Sequence, residues 1–161
     1  MTGRPDERYA LVLDQVTRAL SQQVSAIDAL RSRAGTVVAT ASLASSFLGA
    51  ATLQDRGLPA PALVMTVLAL SALATVVAMT VVILWPYEWR TGFNGHRALA
   101  DYVEADKPAD LNEMQRSLAY YMQEDLDGNG AKLNCLYRAF QVAVVAIGLE
   151  VVFWLIALLL R

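Results

Sequence analysis

The sequence predicts an all-α integral membrane protein: three transmembrane helices, the N-terminus in and the C-terminus out, with a cytoplasmic helical bundle. Three observations lead there. Hydrophobic side chains make up 56% of the 161 residues and the mean hydropathy is positive, as in one membrane-integrated unit. Three runs are long and apolar: Ala34–Gln54, Pro61–Trp85 within the uncharged stretch Gly57–Tyr87, and Ala139–Leu160. About 20 helical residues at ~1.5 Å each match a hydrocarbon core of ~30 Å, so each run can cross a bilayer. Finally, Lys and Arg cluster in two of the four flanking segments.

The elements divide the chain into 1–33, a cytoplasmic amphipathic helix; 34–87, a transmembrane hairpin; 88–138, a cytoplasmic helical segment; and 139–161, the third transmembrane helix. In the first, Leu13, Val16, Leu20, Val24, Ile27, Leu30 and Ala34 recur at three- and four-residue steps and form one stripe. No proline or glycine interrupts this helix before Gly35, so it can run straight into the first span. The charges Arg4, Asp6, Glu7, Arg8, Asp14, Arg18 and Asp28 are unlike a signal peptide, and insertion is expected to rely on the spans themselves. Gly57, Pro59 and Pro61 break helix between the first two spans, which predicts a tight antiparallel hairpin.

Asn94 can cap a helix over about 95–105 that carries Leu99, Tyr102 and Val103. Asp110 with Glu113 three residues later is a capping-box variant. The helix it opens places Leu111, Met114, Leu118, Tyr121, Met122 and Leu126 on one side, and Asp127-Gly128-Asn129-Gly130 is expected to stop it. A last helix from about Ala131 then carries Leu133, Leu136, Tyr137 and Phe140 into the third span. The cytoplasmic stripes need partners, either one another in a small bundle or a second copy through a coiled coil. An in-plane amphipathic helix fits less well, because the polar face carries acids as well as arginines.

Orientation follows from charge. Arg4, Arg8, Arg18, Arg31 and Arg33 precede the first span, and Arg90, Arg97, Lys107, Arg116, Lys132 and Arg138 separate the second from the third. The hairpin tip holds only Arg56 and the end only Arg161. The positive-inside rule therefore puts 1–33 and 88–138 in the cytoplasm of a multi-pass plasma (inner) membrane protein. Trp85, Tyr87 and Trp89, around the helix-ending Pro86, read as interface anchors.

Glu150 is the one charge in Ala139–Leu160 and falls near its middle, where an acid is costly and turns toward other helices or water. Ala143, Ala146, Trp154 and Ala157 share its face. In the first span Ala41, Ser45 and Gly49 lie four residues apart and suit close helix packing against Ala143 and Ala146. Ser42, Ser45 and Ser46 of the first span and Ser71 and Thr75 of the second lie near the depth of Glu150, and Glu150, Ser45, Ser46, Ser71 and Thr75 form a candidate intramembrane polar site. One reading is a neutral carboxylic acid hydrogen-bonded to one of these hydroxyls. The other is a polar ring in an oligomer, lining a water or ion path.

Other motifs are weaker. Asp125-Leu126-Asp127-Gly128-Asn129-Gly130 matches the opening of a calcium loop, but Lys132 and Leu136 stand where an apolar residue and a bidentate Glu are required. Cys135 is the only cysteine and His96 the only histidine, so no multi-cysteine zinc site or histidine pair can be drawn, and no metal or cofactor is expected. Cys135 is expected to be buried and unreactive, His96 solvated. With a net charge of −2 and no basic stripe, nucleic acid is not an expected partner. No catalytic triad or phosphate-binding glycine loop appears, and an enzyme is the least supported class.

Ile27-Asp28-Ala29-Leu30-Arg31-Ser32-Arg33-Ala34 enters the hairpin, Trp85-Pro86-Tyr87 leaves it, and a helical stretch continues to Phe140. This layout resembles the SLATT and Pycsar-type transmembrane effectors of bacterial conflict systems. The resemblance is architectural and spans most of the chain. It implies a pore-forming or membrane-disrupting effector triggered by a nucleotide signal that an associated domain or partner senses. Two features depart from it: a third span follows the cytoplasmic helices, and no segment resembles a nucleotide-binding domain. The expected function is thus a homo-oligomeric inner-membrane effector answering a cytoplasmic signal or protein partner. The alternatives are a scaffold that docks a soluble partner on its cytoplasmic helices and, more weakly, a small transporter, for which the spans offer no inverted repeat.

Overall fold

The computed structural model describes residues 7–54, 57–89, 100, 102, 104 and 110–161, and among them it is helical with no strand. Three helices carry the chain: α1 (Glu7–Leu53), α2 (Ala60–Leu84) and α3 (Leu111–Leu159). Each is long and apolar enough to cross a membrane. His96 and the expected helix over 95–105, apart from Ala100, Tyr102 and Glu104, lie outside the described residues.

The ends of the helices follow from local chemistry. Helix α1 runs without interruption past Gly35, as the absence of an earlier breaker predicts. Beyond it Gly57 adopts φ +105°, a backbone conformation open chiefly to glycine. Helix α2 begins after Pro59, whose carbonyl accepts from the Leu63 N–H at 3.0 Å, with Pro61 in the first turn where its missing N–H costs nothing. It ends at Trp85, which Pro86 forces out of the helical region to ψ 136°. Helix α3 starts on Asp110, whose carboxylate accepts from the Leu111 N–H at 2.9 Å, and Glu113 occupies the first turn, where the helix dipole favours an acid.

Three expectations about α3 are overturned. Asp127–Gly130 does not stop the helix, which continues through it for 49 residues in all. Two glycines cost only about 1 kcal/mol each relative to alanine, and the packing of Asn129 and Leu136 on one buried face offsets that. The calcium-loop match therefore has no loop: Asp125 and Asn129 are buried while Asp127 points outward and accepts from the Gln123 side chain at 3.1 Å. Cys135 is exposed, because the buried positions are Asn129, Leu136, Ala139 and Ala143 and Cys135 lies one residue off that face. The apolar stripe is also displaced, with Leu111 and Tyr121 exposed and Ala119, Asp125 and Asn129 buried instead.

The chain divides into two compact units, one of Met1–Ile27 with Tyr87–Leu133 and one of Asp28–Pro86 with Asn134–Arg161. In the first, the start of α1 packs on the start of α3: Val16 and Ile27 are buried, Val24 is largely exposed, and Gln23 Nε2 donates to the Leu126 carbonyl at 3.1 Å. Lys132 Nζ donates to the Glu88 carbonyl at 2.5 Å and ties the segment after Pro86 to α3.

The second unit contains the most apolar part of each helix. Its centre is built from small residues, with Ala41, Val76 and Ala146 in one cluster and Val37, Val38, Leu73 and Ile147 around it. Leu43, Phe47, Val64, Val67, Val145, Val152 and Leu155 face outward, the arrangement expected where the solvent is hydrocarbon. Arg31 reaches across the end of α2, with Nη2 donating to the Trp85 carbonyl at 3.5 Å, a favourable place for a cation at a helix C-terminus. Arg161 Nη1 donates to the Ala51 carbonyl at the other end.

Candidate functional site

A polar cluster lies inside the second unit between α1 and α3. Ser45 and Gly49 are four residues apart on α1, and Glu150 and Trp154 are four apart on α3, so each pair occupies one helix face. Glu150 is fully buried at 0% exposure, and Trp154 is almost as completely enclosed. Ser45 Oγ donates to Glu150 Oε1 at 2.5 Å and accepts from Trp154 Nε1 at 3.1 Å. The hydroxyl thus links an indole donor to a carboxyl acceptor.

Close approach of the helices makes this contact possible. A Cβ on Gly49 would stand 3.2 Å from the Trp154 ring, so the glycine gives the indole room to lie against α1. Ala143, Ala146 and Ala157 continue the same buried face of α3, and Ala41 lies opposite on α1. The small residues bring two backbones together, and the polar triad lies in the seam they create.

Ser45 differs from the other hydroxyls in the spans. Ser42, Ser46, Thr52, Thr66, Ser71, Thr75 and Thr80 each donate to the carbonyl four residues earlier on their own helix. That bond uses the hydroxyl proton within the helix, so none of these groups donates to another helix. Of the five residues in the expected polar site, the structure brings Ser45 to Glu150. Ser46 is exposed on α1, and Ser71 and Thr75 line an outward-facing groove of about 490 Å³ between α2 and α3. Sequence reasoning also missed the Trp154 N–H as a partner, although its i+4 spacing from Glu150 was visible.

Glu150 Oε2 is buried and has no hydrogen-bond partner. Whether the carboxyl is ionised or neutral, one oxygen lacks a match in an apolar seam, a deficit of roughly 1–3 kcal/mol. Among the described residues no ion pair to Glu150 is found. No group of three or more His, Cys, Asp or Glu among the described residues could hold a metal.

The expected interface anchors separate. Trp85 is exposed at the end of α2. Tyr87 and Trp89 belong to the first unit, where both are half-buried and Trp89 lines a partly open cavity. Comparisons of the chain with protein-family models, with curated proteins and with solved structures return no match.

Proposed function

We propose that this chain is a non-enzymatic, self-associating effector of the bacterial plasma membrane, which permeabilises the bilayer when its cytoplasmic helices receive a signal. One observation carries the reading: a fully buried carboxyl in the third span has one oxygen held by Ser45 and the other unmatched. Adhesion alone is a poor reason to keep such a group, since intramembrane hydrogen bonds contribute only about 0.6–2 kcal/mol. An arrangement that brings water or a second copy to Oε2 removes the deficit. The closed seam is therefore biased toward opening, and a signal has only to supply the remaining difference.

The architecture supports the same reading. Three helices are long and apolar enough to span a membrane, and the Lys/Arg asymmetry supports a cytoplasmic first unit. The resemblance to the SLATT and Pycsar-type effectors points to the same class, with the third span as this chain's addition. The test is expression in a bacterial host with a membrane-potential dye. Glu150→Gln, which keeps a hydrogen-bonding oxygen, is expected to retain depolarisation, and Glu150→Leu to abolish it. Absence of depolarisation by the unaltered chain under every inducing condition contradicts an effector.

A second reading, a scaffold that docks a soluble protein, is favoured by the aromatic surface of the first unit. Tyr120 is 71% exposed with the Arg116 guanidinium 5.9 Å above its ring, and Tyr121 and Leu111 are exposed nearby on the same helix. Under that reading Glu150→Leu is harmless, and charge reversal at Asp110 or Glu113 abolishes co-purification of the partner.

A further inference from the structure

The groove of about 490 Å³ in the second unit is lined from α2 and α3. Gln141 marks the end nearer Arg138, Val145 and Leu149 form the α3 wall, and Ser71 and Phe153 lie toward the other end. Gln141 is exposed and makes no hydrogen bond within the chain. Acyl chains offer such an amide no partner, whereas a second helix can. On α1, Thr36, Thr40, Leu43 and Phe47 follow at four- and three-residue steps and form one exposed ridge, with Phe47 73% exposed. Ser45 and Gly49, which meet α3, lie on the other side of that helix. The hydroxyls of Thr36 and Thr40 donate to carbonyls of their own helix, so each oxygen is still open to accept.

Copies inserted in one orientation meet at equal depth. Ala41, Val76 and Ala146 share one cluster, which sets the three helices at a common level there. The Ser45–Glu150 bond, four residues further on both helices, shows that α1 and α3 run in the same direction. Counting back from Ala41 and Ala146 therefore puts Thr36 level with Gln141, and counting forward brings Phe47 to the level of Ser71 and Phe153. The polar end of the ridge matches the polar end of the groove, and the projecting ring falls where the small Ser71 and Ala72 leave room. We propose that this groove receives the α1 ridge of a second copy, with Gln141 donating to that copy's Thr36 hydroxyl and Phe47 seated against Ser71 and Phe153. Groove and ridge are on different helices, so each copy can use both and the contact is head-to-tail. The inference rests on the self-association in the proposed function and gives it a surface.

The test is cross-linking in native membranes with a membrane-permeant oxidant. Two differently tagged copies are co-expressed in a Cys135→Ser background, one carrying Thr40→Cys on the ridge and the other Val145→Cys in the groove. These positions share a level and leave Thr36, Phe47 and Gln141 intact. The mixed 40–145 product is expected to exceed the 40–40 and 145–145 products at least ~5-fold, because a disulfide needs Cα atoms within about 7 Å. Phe47→Ala, which removes an exposed ring, is expected to cut the mixed product ~10-fold. Val77→Ala, exposed on α2 outside the groove, is expected to leave it unchanged. Predominance of 40–40 or 145–145 products overturns the proposal in favour of a two-fold contact, and absence of all three in favour of a lipid-filled groove. Depolarisation by the chain without the mixed product overturns this interface alone. The mixed product without depolarisation contradicts the effector alone and leaves the interface standing.

Discussion

Glu150, Ser45 and Trp154 form a chain of hydrogen bonds in which each member depends on the next. Ser45→Ala removes the hydrogen-bond partner of the carboxyl and of the indole N–H at once, leaving buried groups unsatisfied. It is expected to destabilise the second unit by about 1–3 kcal/mol, while Thr75→Ala, which loses only a bond to its own helix, is expected to cost much less. Thermal unfolding of the two variants in the same detergent checks the contrast. Gly49→Leu drives a side chain into the Trp154 ring and is expected to cost about 1–3 kcal/mol by overpacking. A red shift of tryptophan fluorescence, as the indole leaves its buried place, should accompany it. The acid and its small neighbours were legible because a lone charge in an apolar run has few explanations. Its partner was not, since five hydroxyls share one depth and only the backbone geometry selects Ser45.

For the helices, a sequence signal holds where backbone chemistry decides alone and fails where packing decides. Pro59, Pro61 and Pro86 bound α2 because proline lacks an N–H and restricts its neighbour, and Asp110 starts α3 by accepting an end N–H. Gly128 and Gly130 carry a weaker local preference, and the buried face running from Ala119 through Asn129 to Leu136 overrides it. The same override exposes Cys135 and moves the buried stripe off Leu111 and Tyr121. A direct consequence can be measured at Gly130, where a Cβ would meet open space. Inside a helix Gly130→Ala is expected to stabilise the protein by roughly 0.5–1 kcal/mol. A glycine in a loop with positive φ would instead be destabilised by alanine, so the sign of the change in unfolding midpoint distinguishes the two. At Gly57, where φ is positive, Gly57→Ala is expected to have that opposite sign.

At the scale of the whole molecule, three helices long and apolar enough to cross a membrane were legible from length and hydropathy, because bilayer thickness sets a minimum apolar run. The two units meet within α1 and α3, near the change from charged amphipathic to uncharged apolar sequence, although both helices continue through it unbroken. Self-association is the part of the proposed function that a mass measurement reaches: the detergent-resolved particle is expected to contain more than one 17.5 kDa chain, and a strictly monomeric particle argues against an oligomeric path. The central claim is that the third helix threads the bilayer and holds Glu150 against α1. Its most direct measurement is labelling of single-cysteine variants in intact cells with a membrane-impermeant maleimide. Gln54→Cys at the hairpin and Arg161→Cys at the end, each in a Cys135→Ser background, are expected to react from outside, and native Cys135 only after permeabilisation. Reaction at position 54 with protection at 161 would contradict the claim and remove the carboxyl from the membrane.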